Sequence, residues 1–333
     1  MIICMEAIEI KLIELRKRIA KEGLLNKRPA YYIGKSLSTF AMFLVSITLF
    51  LYIKHPLIRI LDAIFLAFIY VQFGLIGHDI AHNQVFRSQK ICKWIGTLYW
   101  NLLLGASMSY WSKKHNSHHA HPNELGKDPD IDLPLIFSHS QKIPSNFILK
   151  KIQAYQAYYF FPLISLAYVS VVSASFFHLL EEMKQGAYRS YGEFFLFLIH
   201  YGLYFWLVFS SLGLLYAIIF ITVHHLAGGL YMGTVFAPNH KGMPIVDKQM
   251  TNLSLQQIAT SRNIRSNPFI DFWYGGLNYQ IEHHLFPTMP RKNLKKARIF
   301  VKEFCKKHNI NHHETGVLQS FAEILKGLKH LEA

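Results

Sequence analysis

The sequence predicts an all-α protein that passes several times through a membrane. Of its 333 residues 51% are hydrophobic and 15% aromatic, more apolar than a soluble globular chain needs. The apolar residues gather in long runs, at 36–53, 60–77, 157–177 and 194–239, while charge is pushed to the connectors and the ends. That is the pattern of bilayer-crossing helices. Three histidine clusters, His78-Asp-Ile-Ala-His82, His115-Asn-Ser-His118-His119 and Gln280-Ile-Glu-His283-His284, each lie beside an apolar stretch. Three clusters at metal-ligand spacing in such a chain point to one buried metal site.

Residues 6–22 read as an amphipathic helix. Ile8, Leu12, Leu15 and Ile19 share a face, and Gly23 is a stop signal. The helix either packs on the body of the protein or anchors at the membrane interface. Its charges run throughout, so it is not read as a signal peptide. The run 36–53 is long enough to cross a bilayer. A turn at 54–59 then sends 60–77 back, interrupted only by Asp62, and this second helix delivers His78 and His82. Residues 94–110 are broken by Gly96, Gly105, Ser107 and Ser109 and flanked on both sides by basic residues. They are expected to dip in and return, or to lie in the interface.

The stretch 122–152 is polar and proline-rich and reads as a loop, and 157–177 reads as a third span. From 194 to 239 there is no Asp, Glu, Lys or Arg; as helix this would be roughly 65–70 Å long, more than one bilayer. The second and third clusters share a face only if an even number of passes separates them. Gly192, Gly202 and the Ser210-Ser211 break single out 194–209 as the interfacial piece, which leaves 212–232 as the fourth span, ending toward His240. Residues 291–307 are basic with a helical stripe of Leu294, Ala297, Val301 and Phe304. The expected organisation is an N-terminal cytosolic helix in 1–35, a membrane domain in 36–300 and a C-terminal helical tail in 301–333.

The formal net charge is +15. Lys and Arg flank apolar runs and fill both termini rather than interleaving with stacking aromatics, which excludes nucleic acid. It favours positive-inside topology, anionic lipids, or an acidic partner or substrate. Cys4, Cys92 and Cys305 make no C-x-x-C pair, so a bound metal is held by imidazole.

His78 and His82 stand at i and i+4 on a helix and face one way, although such a pair also occurs as two polar residues at a helix end. His115, His118 and His119, at i, i+3 and i+4, are a stronger signal, and His121 lies off their face. His283 and His284 repeat the pattern with Gln280 in the i position. Gln280 binds a metal weakly, holds a water, or only orients a neighbour. Seven histidines overfill one centre that needs an open position, so two metals fit better; Zn, Cu, Fe and Ni all suit imidazole. His240, at the end of the last apolar run, is an eighth candidate. His224 and His225 read as packing, and His55, His139, His178, His200, His308, His312, His313 and His330 as surface or core. Asp79 and Glu282 adjoin ligand candidates, and Asp128, Asp130 and Asp132 follow the second cluster. All five are candidates to orient the imidazoles.

These clusters resemble the three histidine boxes of the integral-membrane fatty acid desaturases. Gln280 in place of a histidine is similar to the front-end subgroup, which desaturates between an existing double bond and the carboxyl end. His118-His-Ala-His-Pro-Asn123 with Gly126-x-Asp128-Pro-Asp130, Thr260-Ser-Arg-Asn263, and Gly275-Gly-Leu-Asn278-Tyr-Gln280 running on to Pro287 extend the resemblance over about 36–300. It implies four transmembrane helices under a cytosolic helical cap, one or two interfacial helices, and two iron ions held by the boxes and His240. Asn263 and Asn278 join the candidate supports. The implied reaction is O2-dependent dehydrogenation of an acyl-CoA or acyl lipid, with boxes and both termini cytosolic. Many front-end members carry a fused haem-binding domain with a His-Pro-Gly-Gly signature. That signature is missing here, so electrons are expected from a separate, ferredoxin-like or cytochrome-type carrier. Lys113, Lys114, Arg262, Arg265 and Arg291 are candidate ligands of a phosphate-bearing head group. A hydroxylase or sphingolipid desaturase on the same site is the nearest rival. A bis-histidine haem carrier or metal transporter is the non-enzymatic one.

Overall fold

The structure is a computed structural model that describes residues 2–131, 136 and 146–330, without the side chains of 2–7 and 330. Asp132, much of the expected 122–152 loop, Met1 and 331–333 lie outside the described residues. In chain order the elements are α1 (Ile2–Lys21), α2 (Pro29–Tyr52), α3 (Pro56–Ala81), α4 (Gln89–Thr97) and a π-helical turn (Leu98–Leu104). There follow α5 (Met108–Ala120), α6 (Phe147–Ala154), α7 (Gln156–Ile164), α8 (Ala167–Lys184), α9 (Tyr188–Ser211) and α10 (Leu214–His240). Last come α11 (Leu253–Ala259), β1 (Asn263–Ile264), α12 (Pro268–Trp273), α13 (Gln280–Leu285), α14 (Arg291–Lys307), β2 (Glu314–Thr315) and α15 (Val317–His330).

Four helices among the described residues are long and apolar enough to cross a membrane: α2, α3, α9 and α10, of 24, 26, 24 and 27 residues. At 1.5 Å per residue each exceeds the roughly 30 Å hydrocarbon core. Proline opens both α2 and α3, where the missing N–H costs nothing.

The third span differs from expectation. Residues 157–177 are not one helix: α7 and α8 meet at a bend of 61°, next to Pro162 inside α7. Proline removes a helical hydrogen bond and clashes with the preceding turn. Residues 194–209, expected in the interface, belong instead to the unbroken α9. Gly192 and Gly202 do not end it: a helical glycine costs only about 1 kcal/mol, while an apolar setting penalises every unpaired backbone group. The real break falls at Leu212 and Gly213, where the chain leaves helical geometry. α9 and α10 are both candidate spans, and the bent α7–α8 pair counts as a further one if its halves are taken together. The loop reading of 122–152 also yields at its end, where Asn146 caps α6 through its side chain.

The chain divides into two compact units. The span unit comprises 28–113 and 161–234. In it Gly229 lies so close to the α7–α8 break that an added Cβ would stand 1.8 Å from the Ser165 carbonyl oxygen. Residues 94–110 reverse direction at Gly105, whose φ of 76° is left-handed, a conformation glycine adopts at no steric cost. Buried Glu193 of α9 clasps that reversal: its Oε2 accepts from Ser107 Oγ (2.9 Å), Ser109 N (3.1 Å) and Ser109 Oγ (3.0 Å).

The box unit comprises 1–27, 114–160 and 235–333. Leu15 and Ile19 of α1 are buried against Leu294, Ala297, Val301 and Phe304 of α14, so α1 packs on the body of its unit. α14 runs through residue 300 without a break, and β2 pairs in parallel with β1, Asn263 against Glu314.

Candidate metal centre

In the box unit, α5 places His115, His118 and His119 on one face, α13 supplies His283 and His284, and His240 ends α10. His118 Nδ1 lies 2.9 and 3.0 Å from the two Asp128 carboxylate oxygens. Asp128 is held in turn by the N–H groups of Asn123 (2.7 Å) and Asp130 (2.8 Å). His240 Nδ1 donates to the Thr260 carbonyl at 3.0 Å. Both rings thereby carry their proton on Nδ1 and aim a lone pair from Nε2, and these two Nε2 atoms face each other at 3.2 Å. The ligand atoms of His118, His240 and His284 lie within 4.8 Å of one another, as do those of His115 and His283. His115 and His119 approach at 3.0 Å between Nε2 atoms.

Two lone pairs pointing at each other in a buried site repel unless a cation lies between them. Two nitrogens about 2.1 Å from a shared ion and at right angles to it lie about 3.0 Å apart. The donor set therefore fits a transition metal. Among the described residues no cysteine belongs to a candidate ligand group, and imidazole supplies the nitrogen donors.

In the span unit, the last turn of α3 carries His78, with His82 capping the helix and ring centroids 4.7 Å apart. His78 Nδ1 lies 3.1 Å from Asp79, whose second oxygen accepts from Tyr32 OH at 2.9 Å. Trp111 packs on both rings. Burial, reinforced by the neighbouring His78, holds the His82 imidazole well below its ordinary pKa and so keeps it neutral. For His118, burial pushes down but the Asp128 carboxylate outweighs it, so without a metal its Nε2 holds a proton above the usual imidazole range, in the place a metal ion would take. Burial would raise Asp130, yet Lys114 and His118 hold it at about 2.

The supporting residues divide. Asp79 and Asp128 grip imidazoles as expected. Asp130 mainly pairs with Lys114, at 2.6 Å, and stands 3.7 Å from His118. Glu282, Asn263 and Asn278 turn elsewhere. Glu282 accepts from Asn263 Nδ2 (2.7 Å) and lies 3.1 Å from His312 Nε2, while Asn278 donates to Asp271 at 2.9 Å. Their contacts tie α13 to β1 and α12. Two of the five basic candidates are not surface groups. Arg262 is 0% exposed, donates to the Pro238 carbonyl at 2.7 Å and lies 3.0 Å from Glu323; Arg291 is buried as well. Lys114 is committed to Asp130, which leaves Lys113 and Arg265 exposed. His121 pairs with Glu124 at 2.9 Å. His224 and His225 pack inside the span unit, against Tyr204 OH and the Ile221 carbonyl.

Three participants escaped sequence reading. The Thr260 carbonyl is a backbone group, and no residue type signals it. His312, expected at the surface or in the core, backs Glu282. Asn239 donates through Nδ2 to Gln280 Oε1 at 3.0 Å, and Gln280 Nε2 lies 3.0 Å from His240 Nε2. Its only sequence cue was standing next to His240. A cavity of about 190 Å³ adjoins His240 between Ile131, Ile136, Phe160, Met243, Ile324 and Leu328. The span unit holds another of about 250 Å³, lined largely by Phe43, Phe50, Leu66, Leu103, Leu203 and Phe220.

Known proteins share this chain's pattern. The family described as fatty acid desaturase matches residues 54–316. An acyl-lipid (9-3)-desaturase of Physcomitrium patens is 34% identical over 329 residues, covering 96% of this chain and 62% of that protein. A Delta(6)-fatty-acid desaturase, fat-3, of Caenorhabditis elegans is 32% identical over 333 residues, 96% of this chain and 74% of that one. A Delta(8)-fatty-acid desaturase of Euglena gracilis is 32% identical over 313 residues, 89% and 73% respectively. The chain thus spans less than two thirds of the moss protein's length.

Proposed function

Because the chain belongs to the fatty acid desaturase family, we propose that it is a membrane-bound acyl desaturase of the front-end type. The substrate is an acyl-CoA or acyl lipid. Two adjacent methylenes each lose a hydrogen, O2 is reduced to two waters, and two electrons and two protons enter from outside. An electron carrier, ferredoxin-like or cytochrome-type, brings the electrons. Front-end placement of the double bond rests on Gln280 and on the delta-6 and delta-8 names of the relatives.

The observation that carries this reading is the convergence of His118, His240 and His284, with both His118 and His240 held in the metal-binding tautomer. We assign two irons to His78, His82, His115, His118, His119, His240, His283 and His284; for His78 and His82 the support is the box pattern and the Asp79 contact. Bound iron supplies the oxidising power to break an unactivated C–H bond, which no side chain provides. The protein's residues do the rest. Asp79, Asp128 and the Thr260 carbonyl orient imidazoles. Burial of the histidines keeps water away. The apolar cavities, one beside His240, suit an alkyl chain, whose placement near the reacting centre is the protein's main contribution to rate.

Lys113 and Arg265 are the exposed candidates for a phosphate-bearing head group. The exposed lysines of α14, among them Lys295, Lys296, Lys302 and Lys306, suit an acidic electron carrier. We place the boxes and both termini on the cytosolic side, a reading supported by the basic flanks of the apolar runs. The test is the purified protein itself. Two irons per chain, no Soret band, and a product lighter by two hydrogens are expected. A gain of one oxygen would instead make it a hydroxylase, and haem or another metal count would overturn the reading.

A further inference from the structure

We infer that Asn239 is a positioning residue for Gln280, and that the two amides turn together so that Gln280 presents its oxygen to the metal bound by His240. The inference rests on the metal reading above and goes beyond it, since that reading leaves open what Gln280 does.

The geometry is a chain of three groups in the box unit. Thr260 holds the His240 proton on Nδ1, so His240 Nε2 carries a lone pair. Gln280 offers its NH2 to that lone pair at 3.0 Å. The other end of the Gln280 amide, Oε1, accepts from Asn239 Nδ2 at 3.0 Å. Asn239 is 1% exposed, and its own Oδ1 is buried without a hydrogen-bond partner. Its main-chain carbonyl is committed to the N–H of Arg262 at 2.8 Å, which fixes the backbone and leaves only the side chain free to turn.

A primary amide has nearly the same shape with oxygen and nitrogen exchanged. If Gln280 alone turned, its NH2 would meet the NH2 of Asn239, donor against donor. If both turn, one amide–amide bond is kept and one Asn239 atom stays unpaired, as before. The pair's internal bonding is therefore the same in either setting, and the charge on the far side of Gln280 decides. A lone pair on His240 Nε2 favours the NH2. A cation held by that same nitrogen repels the NH2 and attracts the carbonyl oxygen. Asn239 serves as donor in one setting and acceptor in the other, which an apolar residue cannot do and a carboxylate does only in the second.

The experiment uses the full-length chain in detergent, stripped of metal and titrated with Co2+, reading the d–d absorption bands and the affinity. Wild type, N239L, N239D, Q280H and the double variant N239L/Q280H are compared. N239L is expected to weaken the site by about tenfold, as for other residues that orient ligands, and to shift the bands. N239D keeps the acceptor and is expected to bind at least as tightly as wild type. In the Q280H background, N239L is expected to change neither affinity nor bands. An equal loss from N239L in both backgrounds, or no loss in either, overturns the inference. A tenfold loss in N239D overturns it too, and that variant decides the matter if N239L does not fold. Failure of wild type to bind Co2+ at all would instead sink the metal reading itself.

Discussion

The Nε2 atoms of His118 and His240 face each other at 3.2 Å, each with the opposite ring nitrogen already engaged, by Asp128 and by the Thr260 carbonyl. The tautomers are thus imposed from behind. Asp128→Ala should release His118 from its tautomer and lower metal affinity about 10- to 100-fold while the helical content stays unchanged. Metal analysis after dialysis against graded chelator, alongside circular dichroism, measures both. Undiminished metal retention would mean that Asp128 does not orient the ring.

Glu193 accepts from Ser107 and twice from Ser109 where the chain reverses after Gly105, and more distantly from Asn101. Glu193→Leu leaves the Ser109 N–H without its acceptor, while the two hydroxyls keep each other at 3.0 Å. An unmet donor costs about 1–3 kcal/mol, so a loss of that order is expected, read as a lower unfolding midpoint in detergent. Glu193→Gln, which keeps an acceptor, should lose less.

Glycines of the span unit should respond oppositely according to what surrounds them. A Cβ at Gly229 would stand 1.8 Å from the Ser165 oxygen, whereas one at Gly34 meets nothing within 4 Å. Gly229→Ala should therefore reduce the yield of monodisperse protein sharply, since backbone must move. Gly34→Ala should raise stability by up to about 1 kcal/mol through helix propensity.

Burial, with Glu282 nearby, pushes the Cys305 thiol up from its ordinary 9.0 to about 12. Folded protein should resist thiol alkylation at pH 8 and react only on unfolding. The folded pKa is raised, so the neutral thiol is the favoured form. Unfolding then releases a proton once pH passes 9, and Cys305's contribution to stability falls between about pH 9 and 12. Cys305→Ala should flatten the pH dependence of the unfolding midpoint in that window; an unchanged slope would contradict the assignment.

Much of the site was legible because its spacing is local. His115, His118 and His119 fall on one face of any helix they occupy, and α14 (Arg291–Lys307) carries the stripe its pattern announced. His240 was found because α10 ends there. The bend within 157–177 was not legible because hydropathy weighs side chains, whereas Pro162 acts through the backbone. Arg262 and Arg291 looked like head-group ligands because a cation is assumed to seek solvent. In the fold, the Pro238 carbonyl and Glu323 give the Arg262 guanidinium partners that a linear reading cannot see.

The sequence by itself determined the family, the all-helical membrane character, the candidate histidines and the imidazole chemistry they would bring to a metal. All of these depend on residue type and on separations of three or four along one helix. Only the tertiary structure decided which helices run unbroken, which carboxylate or carbonyl sits behind which imidazole, which basic residues are buried, and that Asn239 reaches Gln280. Those are contacts between elements far apart in the chain. Their geometry depends on how close backbones approach, at Gly229 and at the end of α10, and no local pattern encodes that distance.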